Sequence, residues 1–135
     1  MVEFFLHFQY IQLIIRIISK ESLLNLFIVN CIKLEKITIH QCKEERIDYF
    51  ENKFLFYKTN AKSEIFDTLI WAKSTIDAAI IPAFINSIGA GAFSFCSSLI
   101  QITIPSSVTE IGHYAFNECS SLTQIAIPSS VTSIG

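Results

Sequence analysis

The sequence has few charged residues, and neither sign of charge dominates it. Only 16% of its 135 residues are charged, and 10 basic against 12 acidic residues give a formal net charge of −2. A chain with so little net charge has no broad positive field to attract nucleic acid or anionic lipid, so we expect no nucleic-acid partner. Because 51% of the residues are hydrophobic, wholesale disorder is excluded too. The length favours one folded domain.

The sequence also lacks the short motifs that carry most catalytic, metal and nucleotide chemistry. It has no H-E-x-x-H, Walker A or G-x-S-x-G pattern, and none of its four cysteines forms a C-x-x-C pair. The segment GAG at 89–91 lacks the third glycine of a dinucleotide loop. His40 and Cys42, with Cys31, have donor atoms for zinc, although their spacing matches no usual zinc site. We therefore predict no catalytic residue, no cofactor and no metal, and a protein that is not an enzyme.

No uninterrupted apolar run of membrane-spanning length occurs, even in the apolar N-terminal segment, residues 1–22. Polar residues from His7 to Arg16 interrupt it, and a charge near mid-membrane is costly. Glu3 stands where a signal peptide carries positive charge, and no A-x-A cleavage site follows. The spacing of the apolar residues fits either a helix or a strand. We predict a buried cap or a divergent first coil, with an atypical signal or anchor, or a non-native extension, as alternatives.

What the sequence does have is an internal repeat over residues 79–135. The string SSLIQITIPSSVTEIG at 97–112 returns as SSLTQIAIPSSVTSIG at 120–135, which is an interval of 23 residues. Self-similarity at this period indicates one supersecondary unit stacked on copies of itself. The recurring columns are Pro82, Pro105 and Pro128; Gly89, Gly112 and Gly135; Phe93 and Phe116; and Cys96 and Cys119.

Each column has a physical interpretation. Ile102 and Ile104 are two residues apart, which is the period of a strand with one buried face, and the proline that follows ends the strand. Ser-Ser is suited to a turn, and we expect Gly112 to supply a backbone angle that a side chain would forbid. Phe93 and Phe116 are expected to stack inside the molecule. The prediction is a repeat solenoid, leucine-rich-repeat-like, with a parallel β-sheet of short strands and irregular or short helical return segments.

The pattern IPSSVTxIGxxAFxxCSSLTxIxIP resembles the BspA-like leucine-rich repeat of large surface antigens. The resemblance covers residues 79–135 and implies a curved parallel solenoid that works in adhesion or recognition, with no catalytic residues to carry over. The first copy departs from the pattern at three places. Ala79 stands where the strand favours Ile, Phe84 and Ile85 replace Ser-Val, and residues 90–91 are an unusual Ala-Gly pair.

Residues 23–78 carry fragments of the same pattern without a clean copy, and we predict divergent leucine-rich-repeat-like coils there. The spacing L-x-x-I-x-I occurs at 34–39, and L-x-x-L-x-I at 23–28. We also predict a strand over residues 53–57. For 58–78 the pattern leaves open an irregular coil or a short helix. The predicted organisation is therefore 1–22, 23–78 and 79–135.

The predicted binding residues lie on the strands of the repeat. Side chains between the buried ones point outward, which places Gln101 and Thr103, then Gln124 and Ala126, side by side on a concave sheet face. Small, neutral and polar side chains suit a protein or glycan ligand. Solvated strand residues with no function are the alternative. We predict a recognition or adhesion module, with an intracellular scaffold for protein-protein interaction as the alternative.

The last repeat is truncated at Gly135, after its turn and without a polar cap. Solenoids normally carry terminal caps, so we expect either self-association through this open end or a fragment of a larger surface antigen. The family resemblance implies a cell-surface or secreted location. The sequence has no convincing signal peptide, so a cytoplasmic location is the alternative.

Overall fold

The computed structural model describes residues 2–7, 10–15, 34–39, 47–51, 53–60 and 62–135. Their strands form three sheets of three, six and two strands. The return segments between the strands of the repeat are irregular, and no helix occurs in the described residues. The predicted solenoid of short strands with irregular return segments is confirmed.

The first sheet contains the N-terminal strands. β1 (Val2–His7) and β2 (Tyr10–Ile15) form an antiparallel hairpin, and β3 (Leu34–Ile39) pairs with β2 in parallel. Residues 2–7 and 10–15 therefore form strands, and the helical interpretation of the apolar spacing is wrong for them. The strand pattern at 34–39 is confirmed. The similar pattern at 23–28 lies outside the described residues, as do His40, Cys31 and Cys42.

The six-stranded sheet joins an antiparallel meander to a parallel ladder. The meander consists of β4 (Ile47–Phe50), β5 (Phe54–Tyr57) and β6 (Thr68–Ala72). β6 then pairs in parallel with β8 (Ser87–Ile88), followed by β10 (Glu110–Ile111) and β11 (Ser133–Ile134). The strand predicted near 53–57 is confirmed. The expectation of a coil or helix over 58–78 is wrong for 68–72, where five successive residues are buried in a strand.

The third sheet consists of two parallel strands, β7 (Ala78–Ile80) and β9 (Gln101–Thr103). It corresponds to the strand predicted from the Ile-x-Ile-Pro pattern. The same pattern in the last repeat, residues 124–126, does not form a strand. The repeat predicted only the strands of this ladder. The structure also pairs the residues that precede each glycine of the repeat, at 87–88, 110–111 and 133–134. Each complete coil thus contributes two short strands.

The core lies between the two ladders and continues into the meander. Part of it comes from the predicted columns, and the rings of Phe93 and Phe116 stack 5.3 Å apart, as expected. Phe54 of β5 meets Phe93 edge-on at 6.2 Å, which joins the core of the meander to that of the repeat. Fully buried side chains include Phe54, Phe56, Leu69, Ile85, Ile88, Phe93, Leu99 and Val108.

Asp67 fixes the entry to β6. Its carboxylate accepts hydrogen bonds from the backbone N–H and the hydroxyl of Thr59. Its carbonyl oxygen accepts the backbone N–H groups of Asn86 and Ser87 at 2.9 and 3.1 Å. The loop between β5 and β6 is therefore tied to the first coil of the repeat, and this tie sets the register of β6 against β8.

Candidate binding face

The outward side of the two-stranded sheet is a small exposed surface, which we call the ladder face and define as Ala78, Ile80, Gln101 and Thr103. In β7 and β9 alike, the central residue is buried and the two flanking residues are exposed. The parallel register places Ala78 beside Gln101, and Ile80 beside Thr103. Ile80 is 76% exposed, which is the highest value among the large hydrophobic side chains whose exposure the structure describes.

The four predicted binding residues fall in two places. Gln101 and Thr103 lie on the ladder face, on one strand and with outward side chains. Gln124 and Ala126 are also exposed, but they belong to the segment of the last coil that is not a strand. The structure therefore brings the first two together on one sheet and does not join the other two to them by a ladder. Their role in binding stays a prediction.

Hydroxyl groups bind each coil to the one before it. Ser107 Oγ donates to the carbonyl oxygen of Ile85 at 2.7 Å, and one repeat later Ser130 Oγ donates to that of Val108 at 2.8 Å. Thr109 Oγ1 donates in the same way to the carbonyl of Asn86 at 3.3 Å. The Ser-Ser-Val-Thr segment is thus a set of contacts between coils as well as a turn. A single repeat gives no sign of this, because each acceptor belongs to the preceding copy.

The glycine column exists because the backbones of successive coils approach each other closely. A Cβ added to Gly112 would lie 2.5 Å from the backbone nitrogen of Ala90 and 2.8 Å from the carbonyl carbon of Gly89. Gly112 does not have a positive φ, so the predicted reason for this glycine is wrong. The left-handed conformation is found at Gly91 instead, with φ of 65°, and Tyr114 adopts it one repeat later with φ of 56°. The Ala-Gly pair of the first copy therefore suits its backbone.

The cysteine column packs in the core. Cys96 is buried, and its thiol lies 3.8 Å from the carbonyl oxygens of Ala72 and Lys73. Burial raises the pKa of the Cys96 thiol to about 12, and the nearby Cys119 adds to this shift. Cys119 is half-buried, donates to the carbonyl of Phe93 at 3.1 Å, and has a pKa that burial also raises. Thiols that are protonated at neutral pH are poor nucleophiles and poor metal ligands.

A groove borders the start of β7. It has a volume of about 310 Å³, and its lining residues are Glu51, Lys53, Lys73, Thr75, Ile76, Asp77 and Ala78. The chain segments meet here because the backbone N–H of Lys73 donates to the carbonyl of Lys53 at 2.8 Å. No sequence pattern predicts this groove, since its residues come from a turn, from the end of β6 and from the start of β7 without any periodic spacing.

Within the described part of the chain, no three His, Cys, Asp or Glu residues are grouped so that they could hold a metal ion. No helix there is long and apolar enough to cross a membrane.

Comparison with known proteins agrees with this architecture. The model of the BspA type leucine rich repeat region matches residues 63–135, which is more than half of the chain. The chain belongs to this family. The match begins before the repeat that is visible in the sequence and includes β6, so the BspA-type region extends into the six-stranded sheet.

Two solved structures resemble this BspA-type chain. A leucine-rich repeat protein from Eubacterium ventriosum is 32% identical, with a TM-score of 0.63 over 76% of this chain and 26% of its own. A leucine rich cell surface protein from Faecalibacterium prausnitzii is 27% identical, with a TM-score of 0.58 over 77% of this chain and 32% of its own. The chain therefore spans about a quarter to a third of these structures. No curated protein matches it.

The family assignment bears on function at a coarse level. Leucine-rich repeat proteins of this type are generally non-enzymatic and serve in protein interaction or adhesion. A solenoid suits an interaction role because its stacked repeats form an extended surface.

Proposed function

We propose that this chain is a non-enzymatic recognition module of the cell surface, which binds a protein or a glycan through the ladder face and its continuation into the last coil. The contacting residues are Gln101 and Thr103, followed by Gln124 and Ala126. The observation that carries the proposal is the exposure of all four side chains in equivalent positions of successive coils.

The chemistry of these side chains favours an uncharged polar ligand surface. Each glutamine amide offers two donors and an acceptor, and the Thr103 hydroxyl offers one donor and two acceptors. Ile80 adds an exposed apolar side chain beside Thr103. Neutral hydrogen-bonding groups next to an apolar contact suit a polypeptide or an oligosaccharide better than a phosphate or a metal ion.

A location at the cell surface is supported by the family and by the resemblance to the Faecalibacterium prausnitzii cell surface protein. An intracellular scaffold is the second candidate, and the free thiols of Cys96 and Cys119 favour it, because reduced thiols persist in the cytosol. Biotinylation of intact cells with a membrane-impermeant reagent separates the two. Labelling supports the surface module, and protection until lysis supports the scaffold.

Binding is tested with the purified chain on an oligosaccharide array and on an array of extracellular proteins. We expect the double variant Gln101→Ala with Gln124→Ala to lose about 10-fold in affinity for any ligand that the wild type binds, since two hydrogen-bonding side chains are removed. Glu110→Gln is the matched control, because Glu110 is exposed on β10 in the other sheet. Equal loss in both variants, or no loss in the double variant, contradicts the proposal.

A further inference from the structure

The strand β7 has a free edge among the described residues. Its only partner there is β9, which lies on its C-terminal side in the stack. The strand that precedes it in the chain, β6, pairs with β5 and β8 in the other sheet. No described strand therefore precedes β7 in this ladder. An unpaired strand edge is a ready template for another strand.

The hydrogen bonds of β7 show which backbone groups face this edge. The carbonyl oxygen of Asp77 accepts hydrogen bonds from the backbone N–H groups of Ile100 and Gln101. The N–H of Ile81 donates to the carbonyl oxygen of Thr103. In a parallel ladder the residues of one strand point their backbone groups alternately to the two sides. The N–H and C=O groups of Ala78 and Ile80 are therefore directed away from β9, toward the free edge.

The groove of about 310 Å³ opens beside this edge, since Asp77 and Ala78 line it. Two of its lining residues, Lys53 and Glu51, form an exposed ion pair at 3.9 Å. Lys73 and Asp77 also line the groove, and neither forms an ion pair with another described residue. The groove thus offers one uncompensated charge of each sign next to a row of free backbone groups.

We propose that the free edge of β7 binds an extended peptide segment of a partner protein, which adds to the ladder as a third strand. The backbone groups of Ala78 and Ile80 supply main-chain hydrogen bonds, as in other complexes formed by strand addition. Lys73 and Asp77 favour a segment with an acidic and a basic side chain. This edge is separate from the outward side chains of the ladder face, so the inference goes beyond the proposed function.

The test starts from a displayed library of random heptapeptides that is selected on the folded wild-type chain. Affinities of the enriched peptides are then measured for Ala78→Pro and Ala78→Ser. Proline removes the free N–H at the first position of an edge strand, where it is tolerated, and leaves the bonds of Asp77 and Ile81 to the neighbouring coil in place. Serine keeps the N–H. We expect about 10-fold weaker binding to Ala78→Pro and less than about 2-fold change for Ala78→Ser.

A second variant keeps the test decisive if Ala78→Pro fails to fold, as judged by its thermal melt. Lys73→Glu is expected to lower the affinity for peptides with an acidic residue by about 5-fold. This loss of affinity should be smaller at high salt. Failure to enrich any peptide, or equal binding to wild type and to both variants, overturns the inference. Enriched peptides that lose affinity only in Gln101→Ala also overturn it, because they lie on the ladder face, and in that case the proposed function stands.

Discussion

The ring of Phe116 lies on the ring of Phe93, with centroids 5.3 Å apart and 19° between the ring planes. These residues are 23 positions apart in the sequence, and the distance between their rings is close to the spacing of neighbouring strands. Phe93 is fully buried, whereas Phe116 is partly buried. The stack therefore runs from the interior of the first coil toward the more open last coil.

Replacing these rings should have graded effects on stability. We expect Phe93→Ala to lower the free energy of unfolding by about 3 to 5 kcal/mol, since it removes a fully buried ring. Phe116→Ala should cost less, roughly 2 kcal/mol, because part of its surface is already exposed. Chemical denaturation measures both. Ile80→Ala, at an exposed position, is the control and should stay within about 0.5 kcal/mol, and a reversed order of the two phenylalanine variants contradicts the packing.

Gly112→Ala should be among the most damaging small substitutions in the chain. The added Cβ would lie 2.5 Å from the nitrogen of Ala90, which is backbone and cannot rotate away. We expect a loss of about 2 to 3 kcal/mol from overpacking. At Gly89 the nearest atom is the Leu69 carbonyl oxygen at 3.1 Å. Gly89→Ala should therefore destabilise the chain clearly less than Gly112→Ala, as measured by thermal unfolding of both variants. Equal losses of stability would argue against a close approach of the coils.

The adjacent serines Ser106 and Ser107 should differ in how much each stabilises the fold. Ser107→Ala removes the 2.7 Å hydrogen bond to the carbonyl of Ile85 and should cost about 1 kcal/mol. Ser130→Ala removes its equivalent one repeat later. Ser106 is exposed, so Ser106→Ala should change stability by less than about 0.5 kcal/mol. A similar cost at Ser106 and Ser107 would mean that the contact between coils does not stabilise the fold.

The Cys96 thiol should make stability fall at alkaline pH. Its pKa rises from 9.0 to about 12 in the folded chain because the thiol is buried. The unfolded chain therefore releases this proton first, and the contribution of the thiol is complete below about pH 9 and is lost as the pH rises toward 12. The expected slope is about −1.4 kcal/mol per pH unit from this group alone.

Urea denaturation of wild type and Cys96→Ala between pH 8 and 10.5 isolates that contribution, because other titrating groups are common to both proteins. The difference in unfolding free energy between the two should narrow with rising pH. A difference that stays constant across the range would show that Cys96 ionises normally in the folded state.

Sequence periodicity revealed the parts of this fold that repeat exactly. The columns of Phe93, Cys96 and Leu99 recur because each coil must present the same side chain to the shared core. The pairing of Leu69 with Ile88 was missed, since these residues are 19 positions apart and not 23. A search at one period cannot align a coil of different length, so β6 was expected to be irregular or helical.

Contacts between different coils were also beyond sequence reasoning. The sequence correctly predicted that Gly112 must be a glycine. The reason is the close approach of the backbone at Ala90, and not the φ angle of Gly112. The exposure of Gln101 and Thr103 follows from strand alternation and could be predicted. The groove beside β7 could not, because Lys53, Lys73 and Asp77 meet only through the pairing of the meander with the first coil.

The most direct test of the stacked coils is an NMR measurement of scalar couplings across hydrogen bonds. The structure has the N–H of Gly112 donating to the carbonyl of Ile88 at 2.8 Å, and that of Gly135 to Ile111 at 2.9 Å. We expect a coupling between each of these nitrogens and the carbonyl carbon one coil earlier. Couplings of the two glycine nitrogens to any other carbonyl would contradict the account.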